Sequence, residues 1–210
     1  REGGSEIDAI TEAMYAARKA GCEDQYWMCG SGKTPAQGSI PLALERNHIW
    51  KKGDLNVVVI EIAGPGGHFG EITHLVCVGE PDREVVKAFN AVSEAQKIAG
   101  QAIKPGIPIG HIADLVEQYF IEEGYYPKDK KNRAKATTGN LIGHGQGLDT
   151  MELPLVISGD NTTIQPGTRI NIHPNVSLPS GVRAISCDCY VATETGARRL
   201  SSMPYDLIVV

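Results

Sequence analysis

The chain has 210 residues, 41% hydrophobic and 21% charged, enough to bury a substantial core in one domain. Its formal net charge of −5 excludes a general electrostatic affinity for nucleic acid or for an anionic membrane surface. No stretch approaches the ~18 consecutive apolar residues of a membrane span, and no charged start leads into an apolar segment with a cleavage site, so neither a span nor a signal peptide is expected.

Arg1 stands where a methionine would begin a gene product, which reads as a processed or excised piece of a longer chain. Ser5 is placed to cap a first helix, with Ile7, Ile10, Met14 and Ala17 at helical spacing and Gly21 closing it. Residues 25–29 read as a short strand and Gly30-Ser31-Gly32-Lys33-Thr34-Pro35 as a turn. That string lacks the first glycine of a phosphate loop, so no phosphate site is expected. After the turn Lys51-Lys52-Gly53-Asp54, residues 55–63 form a Val- and Ile-rich buried strand with one charge, Glu61. The bend Gly64-Pro65-Gly66-Gly67 leads to a second apolar strand, 72–79, preceded by Glu71 and containing His74. This is a hairpin with a carboxylate on each side of its bend. His68, in the bend, and His111 read as surface residues.

Residues 82–100, with Val85, Phe89, Val92 and Ala99, and 110–124, with Ile112, Leu115, Val116, Tyr119 and Phe120, fit two helices with one apolar face each. The basic cluster Lys128-Asp129-Lys130-Lys131-Asn132-Arg133-Ala134-Lys135 has no interleaved aromatics and reads as a solvated loop. In the run Gly143-His144-Gly145-Gln146-Gly147-Leu148-Asp149-Thr150-Met151-Glu152-Leu153-Pro154, glycines alternate around one imidazole, so backbone can fold closely about it, and Leu141 and Ile142 deliver His144 on a buried strand. A lone buried histidine is more often structural, but this one has polar company on apolar strands. A polar loop at 158–163, the turn Gln165-Pro166-Gly167, a strand at 169–173 ending in Pro174, a strand at 185–193 and a last strand at 207–210 complete the chain. The order of helix, strands, two helices and strands predicts an α+β domain, a largely antiparallel curved sheet covered by helices. Its two halves are loosely alike around a central cleft. Five cysteines, at 22, 29, 77, 187 and 189, are odd in number with no repeated CxxC, which predicts no disulfide framework, no zinc finger and a reducing, cytoplasmic compartment.

Gly30-Ser31-Gly32, Gly53-Asp54, Glu71-Ile72-Thr73, Gly143-His144-Gly145, Gly147-Leu148, Glu152, Pro154, Gln165-Pro166-Gly167, Pro174, Gly181-Val182-Arg183 and Thr193-Glu194-Thr195-Gly196 together resemble the creatinase and aminopeptidase P group. The resemblance implies the pita-bread fold shared with methionine aminopeptidase, one catalytic domain over 1–210 with any N-terminal domain absent from this chain, and a homodimer. Metal-dependent members of the group bind two divalent ions through two aspartates, a histidine and two glutamates. Placed by motif, these fall on Glu61, Glu71, His144, His173 and a position near Cys187 or Asp188, so only the histidine is unchanged. The group's second histidine falls on Met151 and its upstream histidine on Ser39. Each lengthened acid displaces its oxygens by roughly 1.5 Å, too much for bridges between ions about 3.5–4 Å apart, and a histidine at 173 removes an anion. No cofactor is therefore expected. A single divalent ion on Glu61, Glu71, His144, His173 and Asp188 stays possible.

By resemblance to creatinase, the leading expectation is a metal-independent or metal-poor hydrolase of a C–N bond in a small amidino, guanidino or amino compound. Glu61 and Glu71 would form a negative pocket, helped by Ser39, Met151 and Arg183. His144 or His173 would act as general base and Glu152 would orient one of them. Creatinase's own catalytic histidine lies at the position of Ser39, which puts a transferred creatinase activity in question. Cys187 is either a nucleophile or core packing. The alternatives are a metal-dependent Xaa-Pro aminopeptidase-like peptidase and a non-catalytic binding module on the same fold.

Overall fold

The computed structural model describes residues 1–34, 47–129 and 141–210. Helix α1 spans Glu6–Lys19, and the Ser5 side chain accepts from the Asp8 N–H at 3.1 Å. Glu6 and Asp8 lie at its positive end and Arg18 and Lys19 at its negative end, so the charges complement the helix dipole. Strands β1 (Asp24–Gly32), β2 (Leu55–Ala63) and β3 (Phe69–Cys77) follow in antiparallel order, and β11 (Ile208–Val209) joins β3 in parallel. Odd-numbered residues of β2, from Leu55 to Val59, enter the main core. Val58, Ile60 and Ile62 lie on the other face, packed with Trp27 and Cys29 of β1 and Ile10 of α1.

The expected turn at Gly30-Ser31-Gly32 is instead the end of β1, because those residues pair with Val57, Asn56 and Leu55 of β2. Likewise β3 begins at Phe69, ahead of Glu71, since the hairpin register runs unbroken from Ala63↔Phe69.

Helix α2 (Arg83–Ala102) buries Val85, Ala88, Phe89, Val92, Ala95 and Ala99 along one face, and α3 (Gly110–Glu122) buries Ile112, Ala113, Val116 and Phe120. A second, five-stranded antiparallel sheet runs in the order β10 (Ala197–Arg199), β9 (Asp188–Ala192), β6 (Arg169–Ile172), β4 (Gly143–Gly145), β5 (Glu152–Leu155). The hairpin of β7 (Asn175–Ser177) and β8 (Arg183–Ile185) stands beside it. The strands β5, β7, β8 and β10 were not expected. At three or four residues each they are too short for alternation to register. The result is the α+β architecture expected, almost wholly antiparallel, with helices packed on two sheets.

Thr73 of β3 and Cys187, just before β9, exchange backbone hydrogen bonds of 3.3 and 2.8 Å and so join the sheets. All five cysteines are buried thiols. Among the described residues no helix is long and apolar enough to cross a membrane.

Candidate active site

The β2–β3 hairpin sets Glu61 directly opposite Glu71. Opposed residues of an antiparallel pair point to the same face with Cβ atoms about 5 Å apart, so the two carboxyls are neighbours by register. Both are on the core side of the sheet and buried, at 7% and 6% exposure. From the other sheet, β4 carries His144 opposite Asn171 of β6. The glycines on each side of His144 are needed for close approach. A Cβ on Gly143 would run into the Asn171 carbonyl, and one on Gly145 into that of Leu153.

Glu71 is the best-held group of the site. Its Oε1 accepts from the Thr73 hydroxyl at 3.2 Å and its Oε2 from the Asn171 amide at 3.0 Å. His144 Nε2 lies 3.5 Å from Oε2, and Nδ1 of the same ring is 2.9 Å from the Gly145 carbonyl. The His173 ring packs at 5.2 Å from that of His144. Glu61, by contrast, has a buried Oε2 without a hydrogen-bond partner among the described residues, as does the Asn171 Oδ1.

These contacts drive the two acids apart. Burial, reinforced by the Glu71 charge, pushes the Glu61 carboxyl up to about 7. Burial acts on Glu71 as well but is outweighed by the His144 hydrogen bond, the favourable electrostatics of the two imidazoles and the Cys187 thiol, so its carboxyl is held below the usual range. Burial alone would lower His144. Its bonds to Glu71 and the Gly145 carbonyl reverse that and favour the imidazolium. Burial lowers His173, which stays neutral. Burial and the Glu71 charge push the Cys187 thiol far up, so it is a neutral donor to Glu71 rather than a nucleophile.

Glu61, Glu71, His144 and His173 are thus brought together; the other candidates are not. Glu152 does not orient a histidine: its Oε1 accepts from the Asp149 N–H at 2.9 Å and fixes the loop after β4. Asp188 is turned away, taken by Arg199, by Ser201 Oγ at 3.0 Å and by the Cys189 N–H at 3.0 Å. Arg183 is anchored to Asn175 Oδ1 through Nε and Nη2, at 2.9 and 2.6 Å. Met151 is half exposed on the loop before β5. Ser39 lies outside the described residues, as do residues 130–135 of the basic cluster. Sequence reading missed Thr73 and Asn171. The signal was present, a polar residue at the centre of each of two apolar strands, and it is the same signal that marked Glu61.

Residues 1–198 match the family described as Metallopeptidase family M24. The chain is similar to a probable dipeptidase PepE of Mycobacterium tuberculosis, 29% identical over 182 residues, or 82% of this chain and 45% of that protein. A Xaa-Pro dipeptidase of Pyrococcus horikoshii is 28% identical over 99% of this chain and 56% of its own length. Among solved structures, dipeptidase PepE from Mycobacterium ulcerans superposes with a TM-score of 0.87 at 24% identity, over the whole of this chain and 54% of that one. The X-Pro aminopeptidase from Thermotoga maritima does so at 0.85 and 23%, over the whole of this chain and 56% of that one. The fold is therefore the pita-bread fold expected, and the chain spans about half the length of the curated relatives it matches.

A metallopeptidase family implies a divalent ion, and the described donors do not fit one. No group of three or more His, Cys, Asp or Glu side chains among the described residues is gathered so as to hold a metal. The expected single-ion set fails for a local reason: Asp188 is committed to Arg199, and both Glu71 oxygens already accept protein donors.

Proposed function

The chain belongs to metallopeptidase family M24, and from that premise we propose that it hydrolyses the amide bond of a small peptide or peptide-like compound with a free, cationic amino end. The names of its relatives, dipeptidase and Xaa-Pro dipeptidase, favour the peptidase reading over the creatinase-like one. The observation that carries the proposal is Glu61, a buried carboxyl with one unpartnered oxygen and a pKa near 7, beside a second acid held ionised. Two carboxyls pushed in opposite directions take different roles, one moving a proton and the other holding a fixed charge.

In this reading the substrate's cationic amino end sits beside the two carboxyls, and the Glu71 charge acts on it through space because the Glu71 lone pairs face protein donors. That cation favours the ionised form of Glu61. Glu61, not a histidine, then takes the proton of the attacking water and returns it to the leaving nitrogen. The imidazolium of His144, held by Glu71 and the Gly145 carbonyl, contributes positive charge where the carbonyl oxygen becomes anionic. His173 is neutral and packs against that ring.

The test is amine release from a panel of dipeptides, Xaa-Pro compounds included, alongside amidino and guanidino amides. Turnover should be confined to substrates with a free amino end, and Glu61→Gln should lower it by about 100-fold or more while the protein stays folded. Dipeptide binding without turnover would make the protein a binding module instead. Turnover of guanidino compounds alone would restore the creatinase-like reading.

A further inference from the structure

We infer that Glu61 and Glu71 take up no divalent ion, because protein donors already face the Glu71 lone pairs and the other groups of the site do not replace them. A carboxylate offers about four lone-pair positions. Around Glu71 these face the Thr73 hydroxyl on Oε1, the Asn171 amide and the His144 ring on Oε2, and the Cys187 thiol. Three of the four donors come from the second sheet or its approach, so the fold itself brings them to Glu71: Asn171 by its register with His144, Cys187 by its bridge to Thr73. An ion seated on Oε2 would have to displace the Asn171 amide, which is fully buried and donates to no other acceptor among the described residues. It would also need His144 to present a lone pair at the nitrogen that faces Glu71.

The remaining acids do not compensate. Asp188 is taken by Arg199, and at the position where the family resemblance places a further glutamate stands His173, which brings no carboxylate. Of the acids at the site only Glu61 has an oxygen without a protein partner among the described residues, and one carboxylate does not make a cage for an ion that needs four or more ligands. The inference is independent of the peptidase reading, since it concerns what the site binds in the absence of substrate.

It is tested on the full chain, purified without chelator, by elemental analysis and by thermal unfolding with added Zn²⁺, Mn²⁺ or Co²⁺, with Glu61→Gln and Glu71→Gln in parallel. The expected result is far below one equivalent of metal in the wild type and no rise in Tm with any of the three ions. An ion bound equally by the wild type and both variants sits elsewhere and leaves the inference standing. One or two tightly held equivalents, or a metal-dependent rise in Tm that either variant abolishes, overturns it. Because Glu71→Gln is expected to be destabilised, Glu61→Gln and the metal content of the wild type keep the test decisive if that variant does not fold. Since neither readout involves turnover, a metal-free protein that cleaves no peptide would fail the functional proposal alone.

Discussion

At the scale of the single residue, Glu61 and Glu71 are one residue type in one hairpin with opposite electrostatic fates, and the difference is their partners. Glu61 ionises near 7 in the fold against 4.5 when unperturbed, so it costs the fold nothing below about pH 4.5, and the penalty grows as pH climbs to about 7. Glu61→Gln should therefore raise Tm at pH 8, by the equivalent of roughly 1–3 kcal/mol, and leave it nearly unchanged at pH 4.5. A lower Tm at pH 8 would mean that the anion is paired after all. For Glu71 the sign is reversed. Its depressed carboxyl contributes stability above the ordinary carboxylate range, lost as pH falls through its folded value. The raised imidazole of His144 contributes below the ordinary imidazole range, lost as pH rises through its own. Their joint contribution is greatest between the ordinary carboxylate and imidazole ranges, where Glu71→Gln should cost about 3–5 kcal/mol in urea titrations by stranding a buried cation. As pH rises through the folded value of His144 the loss should shrink, because that ring then goes neutral.

At the scale of the element, β4 owes its place to having no side chains beside His144. Gly143→Ala would drive a methyl into the Asn171 backbone carbonyl, so the β4–β6 pairing that aims His144 at Glu71 cannot persist, and a loss of about 3 kcal/mol is expected. Gly64→Ala is the control: a Cβ there meets nothing within 4 Å and should leave Tm nearly unchanged. Helix α2 supplies the apolar counterpart. Phe89 is fully buried and meets the His74 ring edge-on at 5.1 Å, so Phe89→Ala should cost about 3–5 kcal/mol in the same titration.

At the scale of the whole molecule, the two sheets share one apolar core, with α2 and α3 between them contributing Phe89, Ile112 and Phe120, and the Thr73–Cys187 bridge ties their edges at the site. Shared burial of that kind couples the halves. Calorimetry should show a single transition whose calorimetric and van't Hoff enthalpies agree, and two resolved transitions would show that each sheet folds on its own.

The sequence by itself determined the three helices, the β2–β3 hairpin, the strand that brings His144 and the family, because apolar periodicity, glycine turns and motif spacing are local properties of the chain. It also put a carboxyl on each side of the hairpin bend, Glu61 within a buried strand and Glu71 just ahead of the next; the register that sets them opposite each other came with the structure. Only the tertiary structure decided what these acids do. Asn171 and Cys187 reach Glu71 from a sheet about a hundred residues further along, and Arg199 claims Asp188. The same packing withdraws Glu152 and Arg183 into local supports. A residue's charge state depends on which neighbours folding delivers to it and how much water it excludes, and neither is written in the residue's own stretch of chain.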